Sequence, residues 1–147
     1  MKYLNEMKLT VKALSQNESF ARSVVGAFFA QLNPTLEQLD DVKTAVSEAV
    51  TNCIVHAYNK QSGDIDIFCG TTEDSLTIEI TDYGKGIEDI AKALEPFYTT
   101  CEDGERSGMG FTVMQAFCDE MNVQSEKGRT VVTLVKKLAR RIDNVDS

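Results

Sequence analysis

No apolar run in this sequence approaches the roughly 20 residues that cross a bilayer. Its opening, MKYLNEMKLT, also lacks the apolar stretch of a signal peptide, so the expectation is a cytoplasmic protein. Histidine occurs once, at His56. Cysteine occurs four times, at Cys53, Cys69, Cys101 and Cys118, too widely scattered to form a zinc-ligand spacing, and the thiols are expected to be reduced and mostly buried. Basic residues number 15 against 23 acidic ones, and the net charge of −8 argues against a broad nucleic-acid surface. It favours cationic protein partners, and it requires any phosphate site to carry its own local positive charge. Neither an internal repeat nor a domain boundary is visible. Both common phosphate-binding signatures are missing. GKG at residues 84–86 is not followed by the Ser or Thr of a P-loop, and no GxxxxGK[ST] occurs. The dinucleotide fingerprint fails because the position after Gly84 and Gly86 that needs glycine holds Asp89, in a segment that follows a hairpin without a long helix behind it.

What is present is the composition of an ordinary globular domain: 147 residues, 42% hydrophobic and 26% charged, enough for one core. Residues 7–13 alternate apolar and polar and read as a half-buried strand. From Asn17, a candidate N-cap, Phe20, Val24, Phe28 and Leu32 recur at helical spacing until NPT interrupts. Thr35 and Gln38 form a capping-box pattern, after which Leu39, Val42, Val46, Ala49, Val50, Cys53 and Ala57 line one face of a long helix reaching about Tyr58. Two alternating runs, Ile65-Ile67-Cys69 and Leu76-Ile78-Ile80, make a hairpin across TTED. A short helix is expected over residues 88–94, then a lid-like polar stretch, then a helix with Val113, Met114, Phe117 and Met121 facing inward. A second hairpin turns at Lys127-Gly128, and a charged tail begins at about Lys137, leaving residues 1–136 as one domain and 137–147 outside it. Strand and helix do not alternate, which excludes a doubly wound parallel sheet. The expected fold is an α/β two-layer sandwich with helices on one face of a mixed, mainly antiparallel sheet.

Two stretches carry candidate chemistry. GERSGMGF, residues 104–111, places three glycines at the start of a helix, where backbone N–H groups can approach a bound group and the helix dipole favours an anion. Glu48, Asn52 and His56 fall at i, i+4 and i+8 of the long helix, on a stripe about 110° from the centre of its apolar face, at the border of core and solvent. A neutral Asn52 carbonyl is a sensible magnesium ligand beside nucleotide phosphate and water. Glu48, one turn away, could act as general base toward an attacking hydroxyl.

These stretches resemble, in order, the boxes of one superfamily. EAVTNCIVHAY is similar to the N-box, DYGKGI to the first glycine box, GERSGMGF to the second, and KGRTV to the final threonine-containing box of the gyrase, Hsp90, histidine-kinase and MutL type ATPases. Nearly the whole chain is covered. The wording NESFAR, VSEAVTNCIVHAY, FYTT and ERSGMGF is closer still to the sporulation branch of its anti-sigma serine kinases. The resemblance implies a Bergerat-type ATP-binding fold with ATP and Mg2+ as cofactors. It implies that Asp82 accepts a hydrogen bond from the exocyclic amine of adenine, with Gly84 and Gly86 letting backbone pass beside the base and Thr130 near it. Asn52 matches the magnesium ligand and Glu48 the general base. Thr99, in FYTT, falls among the nucleotide contacts. Ser107, Gly108 and Gly110 match the phosphate-facing turn, with Arg106 as cation for the terminal phosphate.

The single histidine lies inside the candidate nucleotide helix, so autophosphorylation in the two-component manner is not expected, and the chain has no length for a gyrase-type transducer domain. The target hydroxyl must come from another protein. The resemblance implies a serine on an anti-anti-sigma factor, and sequestration of an RNA polymerase sigma factor of the sigma F type by the same protein, as a homodimer. Arg22 matches a position used for those partners. Alternatives at this stage are a stress-response (sigma B type) anti-sigma kinase and a nucleotide-gated sigma-binding module without phosphoryl transfer. CEDGE, before Arg106, departs from the pattern by an extra glycine and several acids, which affects the lid rather than the boxes.

Overall fold

The computed structural model describes residues 2–58, 62–84 and 108–138. Strand β1 (Asn5–Lys12) leads into helix α1 (Gln16–Ala30) and helix α2 (Leu36–Asn52), which passes into a π-helical turn (Cys53–Ala57). Strands β2 (Asp64–Thr71) and β3 (Ser75–Asp82) follow, then helix α3 (Gly108–Phe117) and strands β4 (Glu120–Glu126) and β5 (Arg129–Lys137). The helix expected over residues 88–94 lies outside the described residues.

Local chemistry sets most of the boundaries. Helix α1 stops where Asn33 takes a left-handed φ of 57° and Pro34 cannot continue the helix. Two residues later the capping box forms as expected: the Thr35 hydroxyl accepts from Gln38 N–H at 3.0 Å, and the Gln38 side chain accepts from Thr35 N–H at 2.9 Å. The start of α1 differs from expectation. It begins at Gln16, and the Asn17 amide donates to the Lys12 carbonyl at 2.9 Å instead of capping the helix. Its core face is centred one position further on, because Ala21, Val25 and Phe29 are fully buried; of the expected stripe, Phe28 is buried and Leu32 packs on the core, while Phe20 is half exposed.

Both hairpins form, and the five strands order as β1-β2-β3-β5-β4, antiparallel at every described ladder. Glu126 pairs with Arg129 across Lys127-Gly128, with Gly128 at a φ of 90° that a side chain would strain. The three described helices cover one face, so inward residues read across the sheet in rows. One row is Leu9, Ile67, Ile80, Val132 and Val123; the next is Met7, Cys69, Ile78, Leu134 and Met121. Met121, expected on the last helix, is thus a strand residue, and α3 buries Phe111 and Met114 while Phe117 sits at its exposed end. The core closes with Val42, Val46 and Val50 of α2 over these rows. Cys53 and Cys69 are buried and Cys118 half-buried, all as free thiols, and burial pushes Cys69 up to about 12 and Cys118 up to about 11. No helix among the described residues is long and apolar enough to cross a membrane.

At the far end of the sheet, Lys136 on β5 ties the helix layer down. Its ammonium donates to Asp41 Oδ2 of α2 at 3.0 Å and to the Phe117 carbonyl of α3 at 2.7 Å. Side-chain exposure is only 11% for Lys136 and 19% for Asp41, so removing the cation strands a largely buried carboxylate. Lys136→Ala is expected to cost about 2–3 kcal/mol, read as a lower denaturation midpoint with an unchanged m-value.

Candidate nucleotide site

The inward rows end in a polar one. Continuing along the sheet, Val11 faces Ile65, Ile65 faces Asp82, Asp82 faces Thr130 and Thr130 faces Ser125. Apolar packing therefore gives way, on the helix-covered face, to a carboxylate and two hydroxyls. Asp82 is 6% exposed and Thr130 4%. Asp82 Oδ1 accepts from Gly84 N–H at 3.1 Å, and the Thr130 and Ser125 hydroxyls lie 2.6 Å apart. The register of β3 on β5 thus brings together two residues expected from separate boxes, and it adds Ser125, which sequence reasoning missed. Counting back from the two-residue hairpin turn would have found it, since residue 125 must oppose residue 130.

The other half of the site is the end of α2. Glu48 and Asn52 are half-buried on this helix, one turn or about 6 Å of rise apart. Desolvation by burial, and secondarily the nearby Glu18 carboxylate, raise the Glu48 carboxyl above its ordinary value. Helix α3 meets α2 here. A Cβ built on Gly110 would lie 3.1 Å from both Asn52 Nδ2 and Oδ1, so glycine lets the start of α3 lie directly on that amide.

Beyond Asn52 the helix departs from the straight continuation the periodicity predicts. Tyr58 N–H bonds to the Cys53 carbonyl at 3.1 Å, an i→i+5 bond, and the residues between make a π turn. Its consequence is a correction at His56. The imidazole does not share the border stripe of Glu48 and Asn52 but is turned inward, 4% exposed. The same turn carries the Ala57 carbonyl against the end of β3, where a Cβ on Gly84 would sit 2.3 Å from that oxygen. Asn52, the π turn and the Asp82–Gly84 segment are thereby one continuous set of contacts. Gly108 opens α3 beside this set. Gly86, Thr99, Arg106 and Ser107 lie outside the described residues.

Arg22 sits on α1 near the same helix edge. Its guanidinium donates to Ser47 Oγ and Ser19 Oγ, each at 3.3 Å, and approaches Glu18 at 3.6 Å. It therefore neighbours the residue preceding Glu48.

With a helix layer on one face of an antiparallel sheet and a polar row closing the apolar ones, the class of protein can be stated: a histidine kinase-like ATPase domain. That family matches residues 11–136. The chain is 55% identical over 141 residues to the anti-sigma F factor of Caldanaerobacter subterraneus, covering 95% of this chain and 99% of that one. It is 56% identical over 136 residues to that of Clostridium botulinum, covering 92% and 95%. Among solved structures, the RsbU and RsbW domains of a Mycobacterium tuberculosis protein superpose with a TM-score of 0.66 at 17% identity, over 92% of this chain and 32% of that one. A histidine kinase domain from Erythrobacter litoralis gives 0.52 at 21%, over 69% and 45%; at these identities both show the fold. The chain belongs to the anti-sigma F factor family of histidine kinase-like ATPases.

The overlap at Gly84 is with backbone, which cannot swing aside as a long side chain can. Gly84→Ala is expected to destabilise the fold by about 1–3 kcal/mol in chemical denaturation, by the cost of overpacking.

Proposed function

We propose that this chain is an anti-sigma F factor that binds ATP, holds a sporulation RNA polymerase sigma factor inactive, and phosphorylates a serine of its anti-anti-sigma factor. The observation that carries this reading is identity of 55% to an anti-sigma F factor along 95% of the chain. The sigma B alternative has no comparable support among the relatives reported above, which carry the anti-sigma F name.

The donor set fits adenosine triphosphate with magnesium. Asp82 can accept from an exocyclic amine, and Thr130 and Ser125 offer hydroxyls in the same row. Gly84 keeps the backbone clear of Ala57, and Gly110 keeps the start of α3 clear of the Asn52 amide. Among the described residues no cluster of three or more His, Cys, Asp or Glu forms a cage, and one Asn oxygen completed by phosphate and water suits Mg2+ without one. Bound ATP and Mg2+ supply the transferable phosphoryl group and neutralise its charge. The protein's own part is to orient and to move one proton. The start of α3, with Gly108 and Gly110, points backbone N–H groups and the helix dipole at anionic oxygens. Gly86, Thr99, Arg106 and Ser107 complete the nucleotide contacts, Arg106 as the cation for the terminal phosphate. Glu48 takes the proton of the incoming serine hydroxyl. Its partial burial suits this, because a carboxylate with a raised pKa is a stronger base. Arg22, beside Ser47, lies where a partner reaching Glu48 would pass. The ATP-binding domain runs past the expected boundary at 136, since β5 ends at Lys137 and Leu138 packs on the core, with the residues beyond as a tail; the protein works as a homodimer in the cytoplasm.

Glu48→Gln is expected to slow transfer of labelled phosphate from ATP to the anti-anti-sigma serine by about 10²–10⁴, roughly 3–5.5 kcal/mol of barrier, while ATP and sigma binding persist. Absence of label on any serine with the intact protein would overturn the kinase reading. Since the base acts deprotonated and its pKa is raised, the rate should climb with pH through a limb lying above the ordinary value of 4.5, and that limb should vanish in the variant.

A further inference from the structure

One side chain links the two halves of the site without belonging to either. Tyr58 closes the π turn with its backbone, and its phenol then reaches the sheet. The hydroxyl donates to the Asp64 carbonyl at 2.7 Å and accepts from Tyr83 N–H at 2.6 Å. Asp64 begins β2, and Tyr83 is the residue between Asp82 and Gly84. The ring lies over Gly63, where a side chain would collide with it, so glycine at that position leaves the ring its place. Tyr83 is held at its other end too: its hydroxyl donates to Asp66 Oδ2 at 2.5 Å, while Asp66 Oδ1 accepts from Thr10 at 2.6 Å. The Tyr58 phenol is neutral at physiological pH, burial raising it further above its ordinary value, so it can donate and accept at once.

We propose that Tyr58 is a positioning residue for base recognition: its phenol sets Tyr83, and through it Asp82 and Gly84, in register with the helix end that carries Asn52. The proposal rests on the ATP-binding reading above. Because both hydrogen bonds act on the Asp82 end, Tyr58 controls affinity for the base and leaves the phosphate end alone. A residue that merely stabilised the fold would weaken every ligand alike.

The test compares Tyr58→Phe with the intact chain by calorimetry, using Mg2+ with ATP and Mg2+ with inorganic triphosphate, which has no base. The Kd for ATP should rise about tenfold, equivalent to about 1.4 kcal/mol, while the Kd for triphosphate changes by less than about twofold. The transfer rate at saturating ATP should also stay within about twofold, because loss of binding alone raises KM and leaves kcat. Equal ATP affinity in variant and wild type overturns the inference alone, as does an equal loss for both ligands. Failure of the wild type to bind ATP overturns the ATP-binding reading and the inference with it. Should the variant not fold, hydrogen exchange at the Tyr83 amide of the wild type decides: slowing by ATP but not by triphosphate supports the role, and no slowing by ATP overturns it.

Discussion

Asp82 and Thr130 face each other across the β3–β5 ladder on the side the helices cover, at the end of rows that are otherwise apolar. Taking a carboxylate out of water costs several kcal/mol unless hydrogen bonds replace the lost hydration, so this register has to be met by the surrounding structure. One bond comes from Gly84 N–H, two residues on, which requires the chain to turn back sharply at the strand end. The turn in turn presses Gly84 against the Ala57 carbonyl, where only a residue without a side chain fits. A buried polar pair at the edge of an apolar face is poor value for stability alone. On the proposed reading it serves as the floor of a recognition site, and the apolar rows beneath supply the stability.

The π turn answers the same constraint from the helix side. An α-helical continuation of α2 would give the Cys53 carbonyl to Ala57 and leave His56 on the exposed border with Glu48 and Asn52. Giving that carbonyl to Tyr58 instead inserts a residue, turns His56 into the core and delivers Ala57 and Tyr58 to the sheet. Such bulges weaken the helix locally and recur at functional sites. Here the local cost is offset by contacts at both ends: Gly110 on Asn52 before the turn, and Gly84 on Ala57 after it.

The layers and the strands were legible because their signals are local. Alternation gave β1, β2 and β3, the Thr35–Gln38 box gave the start of α2, and Lys127-Gly128 gave the last hairpin. The misses share a cause. Phe20 looked like a core residue on periodicity alone, yet the choice between its stripe and that of Ala21, Val25 and Phe29 is made by the sheet underneath, which a single helix does not encode. Met121 fits a helix period and a strand period equally, and the strand won because it pairs with Leu134. The π turn was illegible for a sharper reason: the β-branched Ile54 and Val55 in CIVHA lower helix propensity only slightly and mark no π turn, and the extra residue goes with a tertiary contact, Ala57 on Gly84. Within the site, Asp82 and Thr130 were named from separate boxes on resemblance, whereas their pairing, and Ser125 beside them, follow only from register.

Charge sets the last constraint. A chain with net −8 that binds a polyphosphate works against its own field, and the groups gathered at the described end of α2 do little to reverse it, since Glu48 adds a carboxylate and Arg22 is engaged with Glu18. On the proposed reading the chain meets this with close-range groups, the Asn52 amide and the backbone N–H groups at the start of α3, alongside the Arg106 cation and Mg2+. Dipoles fixed by backbone geometry act only at close range, within a turn of the helix end. Close approach is what glycine at position 110 permits, so the absence of a side chain there is as much a part of the electrostatics as any charge. With a net charge of −8 on the whole chain, the proposed site depends all the more on how accurately the π turn and the strand end are held together.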